Sequence, residues 1–132
     1  MRYALDTNTL IYFFKGHGEV ARHLLATAPA NVTIPAVVVF EVETGIAKST
    51  NPNKRSEQLA ELLDIVTVLP FDVDAARRAA NIRALLERQG TPIGPMDTLI
   101  AGTALAHGTT LVTHNTAEFQ RVPALPLTDW FV

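Results

Sequence analysis

The sequence predicts a three-layer α/β fold, with a mostly parallel sheet of four or five strands flanked by helices. Two observations predict it. Short apolar pieces alternate with longer pieces of helical periodicity. Breakers such as Pro29, Pro35, Gly90, Gly94-Pro95 and Gly108 fall between them. Strands that alternate with helices imply right-handed βαβ units, with both faces of the sheet covered. The 132 residues suit one domain, expected over 1–132.

Tyr3 to Leu5 reads as the first strand and ends at Asp6. Thr9 to Phe14 starts a helix after a polar turn. Glu19 to Ala28 carries Val20, Leu24 and Leu25 at helical spacing, and Pro29 ends it. Asn31 to Ile34 reads as a second strand, stopped by Pro35. Ala36 to Lys48 is ambiguous. Val37-Val38-Val39-Phe40 has strand propensity, yet thirteen residues without a break favour a helix, which is the expectation. Lys48 to Glu57, with Asn51-Pro52-Asn53, reads as a loop. Ser56 to Asp64 is a helix with Leu59, Leu62 and Leu63 on one side, and Val66 to Leu69 is a third strand.

Asp72 to Gln89 carries the strongest helical pattern. Asp72 or Asp74 can cap its start, Ala75, Ala79, Ile82 and Leu86 recur at helical spacing, and Gly90 can end it. Met96 to His107 is a helix opened by Gly94-Pro95 and closed by Gly108. Pro95 suits the first helical position, where its missing N–H costs nothing. Thr110 to Thr113 is a fourth strand, and Ala124 to Thr128 can add a short fifth.

Composition narrows the function. There is no cysteine, which excludes a disulfide scaffold, a Cys-ligated zinc or iron–sulfur site and a thiol nucleophile. With 48% hydrophobic and 18% charged residues the chain is not disordered. The apolar runs Leu10–Phe14 and Pro35–Phe40 fall far short of the roughly 20 residues of a membrane span. The N-terminus reaches Asp6 at once, without a signal-peptide core. A soluble, cytoplasmic protein is the expectation. A net charge of −2 argues against nucleic-acid binding through a large excess of Lys and Arg. Neither GxxxxGK[ST] nor GxGxxG occurs, so a phosphate-cradling nucleotide loop is not expected.

Ligands of parallel sheets bind beyond the carboxyl ends of the strands. Asp6 and Asn115 follow the first and fourth strands, Asp97 lies in a first helical turn, and Glu41 lies in the apolar segment Val37–Val42. Each has a structural reading too. Asp97 can serve a helix dipole, Asp6 an Asx-turn or N-cap, and Asn115 or Thr116 the cap of a short helix through Phe119, with Glu118 solvated. Glu41 resists such a reading, because carboxylates in apolar settings are paired or metal-bound. On a helix it shares a face with Gly45, while Glu43 points elsewhere. An oxygen-only set suits Mg²⁺ or Mn²⁺. His17, His23, His107 and His114 form no close metal-ligand pair, and His114 reads as an exposed loop histidine.

Four segments together carry a specific pattern: Leu5-Asp6-Thr7-Asn8-Thr9, Phe40-Glu41-Val42-Glu43-Thr44-Gly45, Gln89 to Asp97, and Thr113-His114-Asn115-Thr116-Ala117-Glu118-Phe119. In order and spacing they resemble PIN-domain ribonucleases and, within these, the VapC toxins of toxin–antitoxin pairs. The ending, Arg121-Val122-Pro123 and Asp129-Trp130, is similar to that family as well. The resemblance implies a PIN-like fold and Mg²⁺-dependent hydrolysis of RNA phosphodiesters, leaving a 5′-phosphate and a 3′-hydroxyl. Asp6, Glu41 and Asp97 match the family's three core acids, with Asp6 and Asp97 the chief metal ligands. Asn115 stands where an Asp is frequent, and Glu118, one helical turn on, can supply the missing charge. Thr113 would help to orient water or the scissile phosphate. Gly90 to Asp97 is similar to toxins that cut initiator tRNA. A VapB-like antitoxin, and a homodimer or toxin–antitoxin hetero-oligomer, are the implied partners. Leu10 to Phe14 is either a partner surface or ordinary core.

Rival readings use the same residues. One is a PIN domain that binds RNA without cutting it. Another is a haloacid-dehalogenase-like phosphatase with Asp6 as nucleophile, although Asn8 replaces its second acid. A third is a response receiver, for which Asp72 is better explained as a cap. Lys54, Arg55, Arg77, Arg78, Arg83 and Arg88 gather mid-chain and read mainly as a solvated helix face. If Asp6, Glu41, Asp97 and Glu118 face a metal, nine acids remain against eleven bases, so the rest of the body is mildly basic.

Overall fold

The structure, a computed structural model, describes residues 1–132. In chain order it contains β1 (Tyr3–Leu5), α1 (Thr7–Lys15), α2 (Val20–Leu25), β2 (Val32–Pro35), α3 (Ala36–Ala47), α4 (Asn53–Leu63), β3 (Thr67–Leu69), α5 (Val73–Arg88), α6 (Pro95–Ala106), β4 (Thr110–Val112), α7 (Thr116–Phe119) and β5 (Leu127–Thr128). A 3-10 turn covers Pro29–Asn31.

All five strands are parallel, in the order β3-β2-β1-β4-β5. Tyr3 pairs with Val32 on one side and Thr110 on the other. Strand order therefore reverses at β1, and the crevice beyond the ends of β1 and β4 is where such sheets bind ligands. Ala4, Leu5, Ile34, Leu111 and Val112 are fully buried, as expected of strands covered on both faces. Around the sheet α1 packs on α2 and α3, and α6 packs on α5 and α3. One continuous cluster of buried side chains joins sheet to helices, from Ala4 to Trp130. No helix is long and apolar enough to cross a membrane.

The ambiguous Ala36–Lys48 stretch is helical. Val37, Val38 and Val42 turn into the core, and this packing outweighs the strand propensity of the valine run. Other boundaries moved. The first helix starts at Thr7 rather than Thr9, because Asp6 caps it. The second ends at Leu25, short of Ala28, and the 3-10 turn takes the place of the expected start of β2 at Asn31. Pro35 closes β2 as its last residue, in register with Leu69, and α3 begins directly after it. Lys48–Glu57 is only partly a loop, since α4 starts at Asn53 and puts Lys54 and Arg55 in its first turn. The Leu10–Phe14 run is not an exposed surface: Leu10 and Phe14 belong to the core, and Ile11, Tyr12 and Phe13 are half-buried.

One close approach sets the position of α6. A Cβ on Gly102 would lie 2.7 Å from both Cβ and N of Ala79 and 2.9 Å from the Ala75 carbonyl oxygen. Only glycine lets α6 lie this near α5.

Candidate active site

Asp6 sits at the carboxyl end of β1 and is 4% exposed. Its backbone N–H donates to the Val112 carbonyl at 3.1 Å, which links the ends of β1 and β4. Its Oδ1 accepts the Thr9 N–H at 2.9 Å and caps α1. The capping reading of Asp6 is thus correct, and Oδ2 is not used by it. Burial pushes the Asp6 carboxyl above the ordinary range, hydrogen bonding from Thr113 and Thr9 pulls it back, and the charge of Glu41 raises it further. Thr113 is fully buried. Its Oγ1 accepts the Asn115 N–H at 3.0 Å, which leaves its own proton for Asp6.

Asp97 lies in the first turn of α6, after Gly94 as cap and Pro95 at the first helical position. A helix N-terminus favours a charged carboxylate. Yet the Asp97 pKa is pushed up to about 6, first by partial burial, then by the negative charges of Glu118, Asp6 and Glu41. Four carboxyls from β1, α3, α6 and α7 therefore share one electrostatic site. The ion pairs of the protein all lie elsewhere, so no Lys, Arg or His neutralises it.

Glu41 is half-buried, less enclosed than its apolar sequence neighbours suggested, and Phe40 beside it is 59% exposed. The Thr7 hydroxyl donates to Glu41 Oε1 at 2.6 Å and ties α1 to α3 across the site. Glu43 is exposed. A Cβ on Gly45 would meet nothing within 4 Å, so the space beside Glu41 is open, as its i, i+4 position implied.

Asn115 is exposed and its Nδ2 donates to Glu118 Oε2 at 2.7 Å. The other Glu118 oxygen, Oε1, accepts the Gly94 N–H at 2.9 Å. Glu118 thereby bridges the β4–α7 loop to the start of α6. A Cβ on Gly94 would lie 3.6 Å from Asp97 Oδ2 and 3.9 Å from Glu118 Oε1, so both carboxylates border the same space. Glu118 is the larger of the charges acting on Asp97, whereas Asn115 fixes the carboxylate that supplies it. Thr7 and Gly94 escaped the sequence reading. The one signal for Thr7 was its place directly after Asp6; Gly94 acts through its backbone N–H, which no residue pattern records.

The donor chemistry fits a hard divalent cation: carboxylate and amide oxygens, like charges without a counter-ion, and no thiol or imidazole. No three Asp, Glu or His side chains stand close enough to form a ready cage. A cation held here would draw on one or two carboxylates and keep several waters. Three of the four histidines are engaged elsewhere. His114 Nδ1 lies 2.8 Å from Asp129 Oδ2 and its ring stacks on Phe131, while His107 Nε2 and His23 Nε2 lie against the carbonyls of Pro70 and Val132. Asp72, the acid a receiver would need, caps α5 through the Ala75 N–H at 2.9 Å. Asn8, which stands where a dehalogenase-type phosphatase has its second acid, is exposed on α1.

The PIN domain profile matches residues 3–125. The tRNA(fMet)-specific endonuclease VapC of Salmonella typhimurium is 35% identical over 130 residues, covering 98% of each chain. Ribonuclease VapC2 of Rickettsia felis is 33% identical over 132 residues, again covering 98% of each chain. The crystal structure of VapBC2 from Rickettsia felis, bound to a DNA fragment from their promoter, contains a chain that superposes with a TM-score of 0.91 at 32% identity, over 98% of this chain and 99% of that one. With a profile match over most of its length and relatives above 30% identity along nearly all of it, the chain belongs to the PIN domain family, in its VapC branch.

Proposed function

We propose that this protein is a divalent-metal-dependent endoribonuclease, the toxin of a VapBC-type pair. It hydrolyses RNA phosphodiesters, with initiator tRNA the first substrate to test, and a cognate VapB-like antitoxin neutralises it in a toxin–antitoxin hetero-oligomer. The observation that carries this reading is the group of Asp6, Glu41, Asp97 and Glu118 at the ends of β1 and β4, where partial burial first and the neighbouring carboxylates second push Asp97 up to about 6 with no basic partner. The VapC relatives support the RNA substrate and the VapBC structures the partner.

Asp6 and Asp97 would hold the cation, Mg²⁺ by preference and Mn²⁺ as substitute. When bound, it supplies charge neutralisation at the phosphate and a more acidic water. Glu41 has Oε1 fixed by Thr7, so its Oε2 is the atom that accepts a hydrogen bond from the attacking water. Asn115 and Glu118 orient water or the scissile phosphate beside Asp97. Thr113 is a positioning residue: fully buried, it acts on Asp6 rather than on substrate.

The test is incubation of the purified protein with total tRNA and Mg²⁺, followed by sequencing of the new 5′ ends. Cleavage that leaves 5′-phosphates, stops with EDTA and is absent in Asp97→Asn is the expected result. Metal-independent cutting, or an Asp97→Asn variant as fast as wild type, overturns the assignment.

A further inference from the structure

We infer that the cavity between α1, α3 and the start of α4 is a phosphate-gripping subsite for the single-stranded RNA that flanks the cleaved bond. This rests on the proposed ribonuclease function and adds to it the path of the substrate. The cavity has a volume of about 400 Å³, within the range of small-molecule sites. Glu41 stands in its wall, so it opens directly from the acidic site. Lys15, Lys54 and Arg55 line the same cavity, together with Gly45 and Ile46.

These three cations line the cavity, whereas Arg77, Arg78, Arg83 and Arg88 of α5 do not, Arg77 and Arg88 being unpaired as well. On α5, Arg78 pairs with Asp74 and Arg83 with Glu87, which is the solvated-face behaviour expected of them. Lys15, Lys54 and Arg55 form no ion pair. Lys54 and Arg55 occupy the first turn of α4, where the helix dipole disfavours cations and no acid compensates. Helix stability therefore does not account for them.

Arg55 is also held in place. Its Nη1 donates to Gln58 Oε1 at 2.7 Å, Gln58 Nε2 donates in turn to the Phe14 carbonyl at 3.4 Å, and the guanidinium lies 5.3 Å over the Phe14 ring. A fixed guanidinium facing an open cavity is preorganised for a phosphate, which it can grip through two N–H groups. RNA needs such a grip here, because Glu41 in the cavity wall and the carboxylates grouped with it repel the RNA backbone. The basic wall lets the chain approach the anionic site from one side. Open space at Gly45 and the apolar edge of Ile46 leave room for a sugar or base next to the gripped phosphate.

The test reads binding with cleavage silenced, so its outcome is separate from that of the nuclease reading. Full-length Asp97→Asn protein in EDTA is titrated into a fluorescein-labelled, unstructured single-stranded 12-mer RNA, and affinity is followed by polarisation against salt. Adding Lys54→Gln and Arg55→Gln should weaken binding about tenfold at low salt and flatten the salt dependence by about 0.7 in log–log slope for each phosphate no longer neutralised. The control removes two charges from α5 instead, Arg77→Gln and Arg88→Gln, and should keep most of the affinity. Circular dichroism checks that the Arg55 variant folds, and Lys15→Gln with Lys54→Gln repeats the test without disturbing the Phe14 contact. Equal losses in the α5 control reduce the effect to net charge and overturn the inference. So does unchanged RNA affinity in both cavity variants, whatever they do to an acidic partner peptide, and so does a parent protein that binds no RNA.

Discussion

The Thr7 hydroxyl holds Glu41 Oε1 at 2.6 Å across 34 residues of sequence, and this bond joins the start of α1 to the middle of α3 at the edge of the acidic site. It leaves Glu41 one free oxygen in a fixed direction. Thr7→Val keeps the shape and removes the donor. A hydrogen bond to a charged group contributes about 1.5 kcal/mol, so RNA cleavage should fall roughly tenfold as Glu41 loses its orientation, and the melting temperature should fall by a few degrees. Thr7→Ser should restore most of the rate. A Thr7→Val enzyme that cuts at the wild-type rate would remove Glu41 positioning from the mechanism.

Glu41 and Glu43 are two residues apart on one helix, yet only Glu41 is half-buried and anchored. Glu41→Gln should lower the cleavage rate by about 100-fold or more, the scale of a lost proton acceptor. Glu43→Gln should stay within about twofold, as substitutions of exposed residues away from a site do. Single-turnover rates for both variants decide the matter, and the reverse order would mean that α3 presents its other glutamate to the substrate.

The raised Asp97 carboxyl makes the metal-free protein sensitive to pH. Below the ordinary value of 3.8 the group is protonated whether folded or unfolded, so folding gains and loses nothing from it. Between 3.8 and about 6 the folded state holds the proton that the unfolded state has released. Stability from this group therefore falls as pH rises through that window, and the loss is complete above it. Asp97→Asn should raise the melting temperature of EDTA-treated protein at pH 7.5. Solvent screening at this half-open position limits the gain to about 1 kcal/mol, or roughly 3–6 °C. The gain should vanish near pH 4. In Mg²⁺ the order should reverse, because the wild type is stabilised by the ion and the variant far less.

The strand–helix alternation was readable because it depends on local pattern, whereas the nearness of Asp6, Glu41 and Glu118 to Asp97 comes from the tertiary fold. The valine run of α3 shows the limit of that reading, since length had to arbitrate between two propensities before core packing at Val37, Val38 and Val42 decided. Helix starts differ where a cap is ambiguous: Asp6 caps α1, which therefore begins two residues earlier, at Thr7. The Leu10–Phe14 run suits a surface or a core equally by sequence, and the tertiary fold buries Leu10 and Phe14 and leaves Ile11, Tyr12 and Phe13 half-buried. The bond from Thr7 to Glu41 and the one from the Gly94 amide to Glu118 join residues 34 and 24 positions apart. Neither leaves a periodic trace, so neither could be read from one sequence.

Gly102 marks a close approach of α6 to α5, and it lies on the helix that carries Asp97. Gly102→Ala improves helix propensity by about 1 kcal/mol in an open helix. Here the new Cβ would meet the Ala79 backbone nitrogen at 2.7 Å and the Ala75 carbonyl at 2.9 Å, neither of which can move without moving α5. Overpacking of this kind costs about 1–3 kcal/mol and should win. Thermal melts should show a net loss for Gly102→Ala, and cleavage at low temperature should also fall as α6 shifts Asp97. An equally stable variant would mean that α5 and α6 are free to separate.

Glu118 is the largest charge acting on Asp97, ahead of Asp6 and Glu41. Glu118→Gln removes that charge and keeps an oxygen to accept the Gly94 N–H, so the start of α6 stays in place. With one like charge gone, the Asp97 carboxyl should titrate lower, and a ¹³C NMR titration of the metal-free protein reads this directly. The acid limb of the cleavage profile should move to lower pH with it, because the carboxylate that holds the cation persists further into acid. Substitution of Asn115 by Ala gives the complementary case. It frees Glu118 Oε2 from its only hydrogen-bond donor and leaves the charge in place, so Asp97 should stay raised. If Glu118→Gln leaves the Asp97 titration unmoved, Glu118 serves only to link α7 to α6, and the fourth acidic position of this site is unfilled.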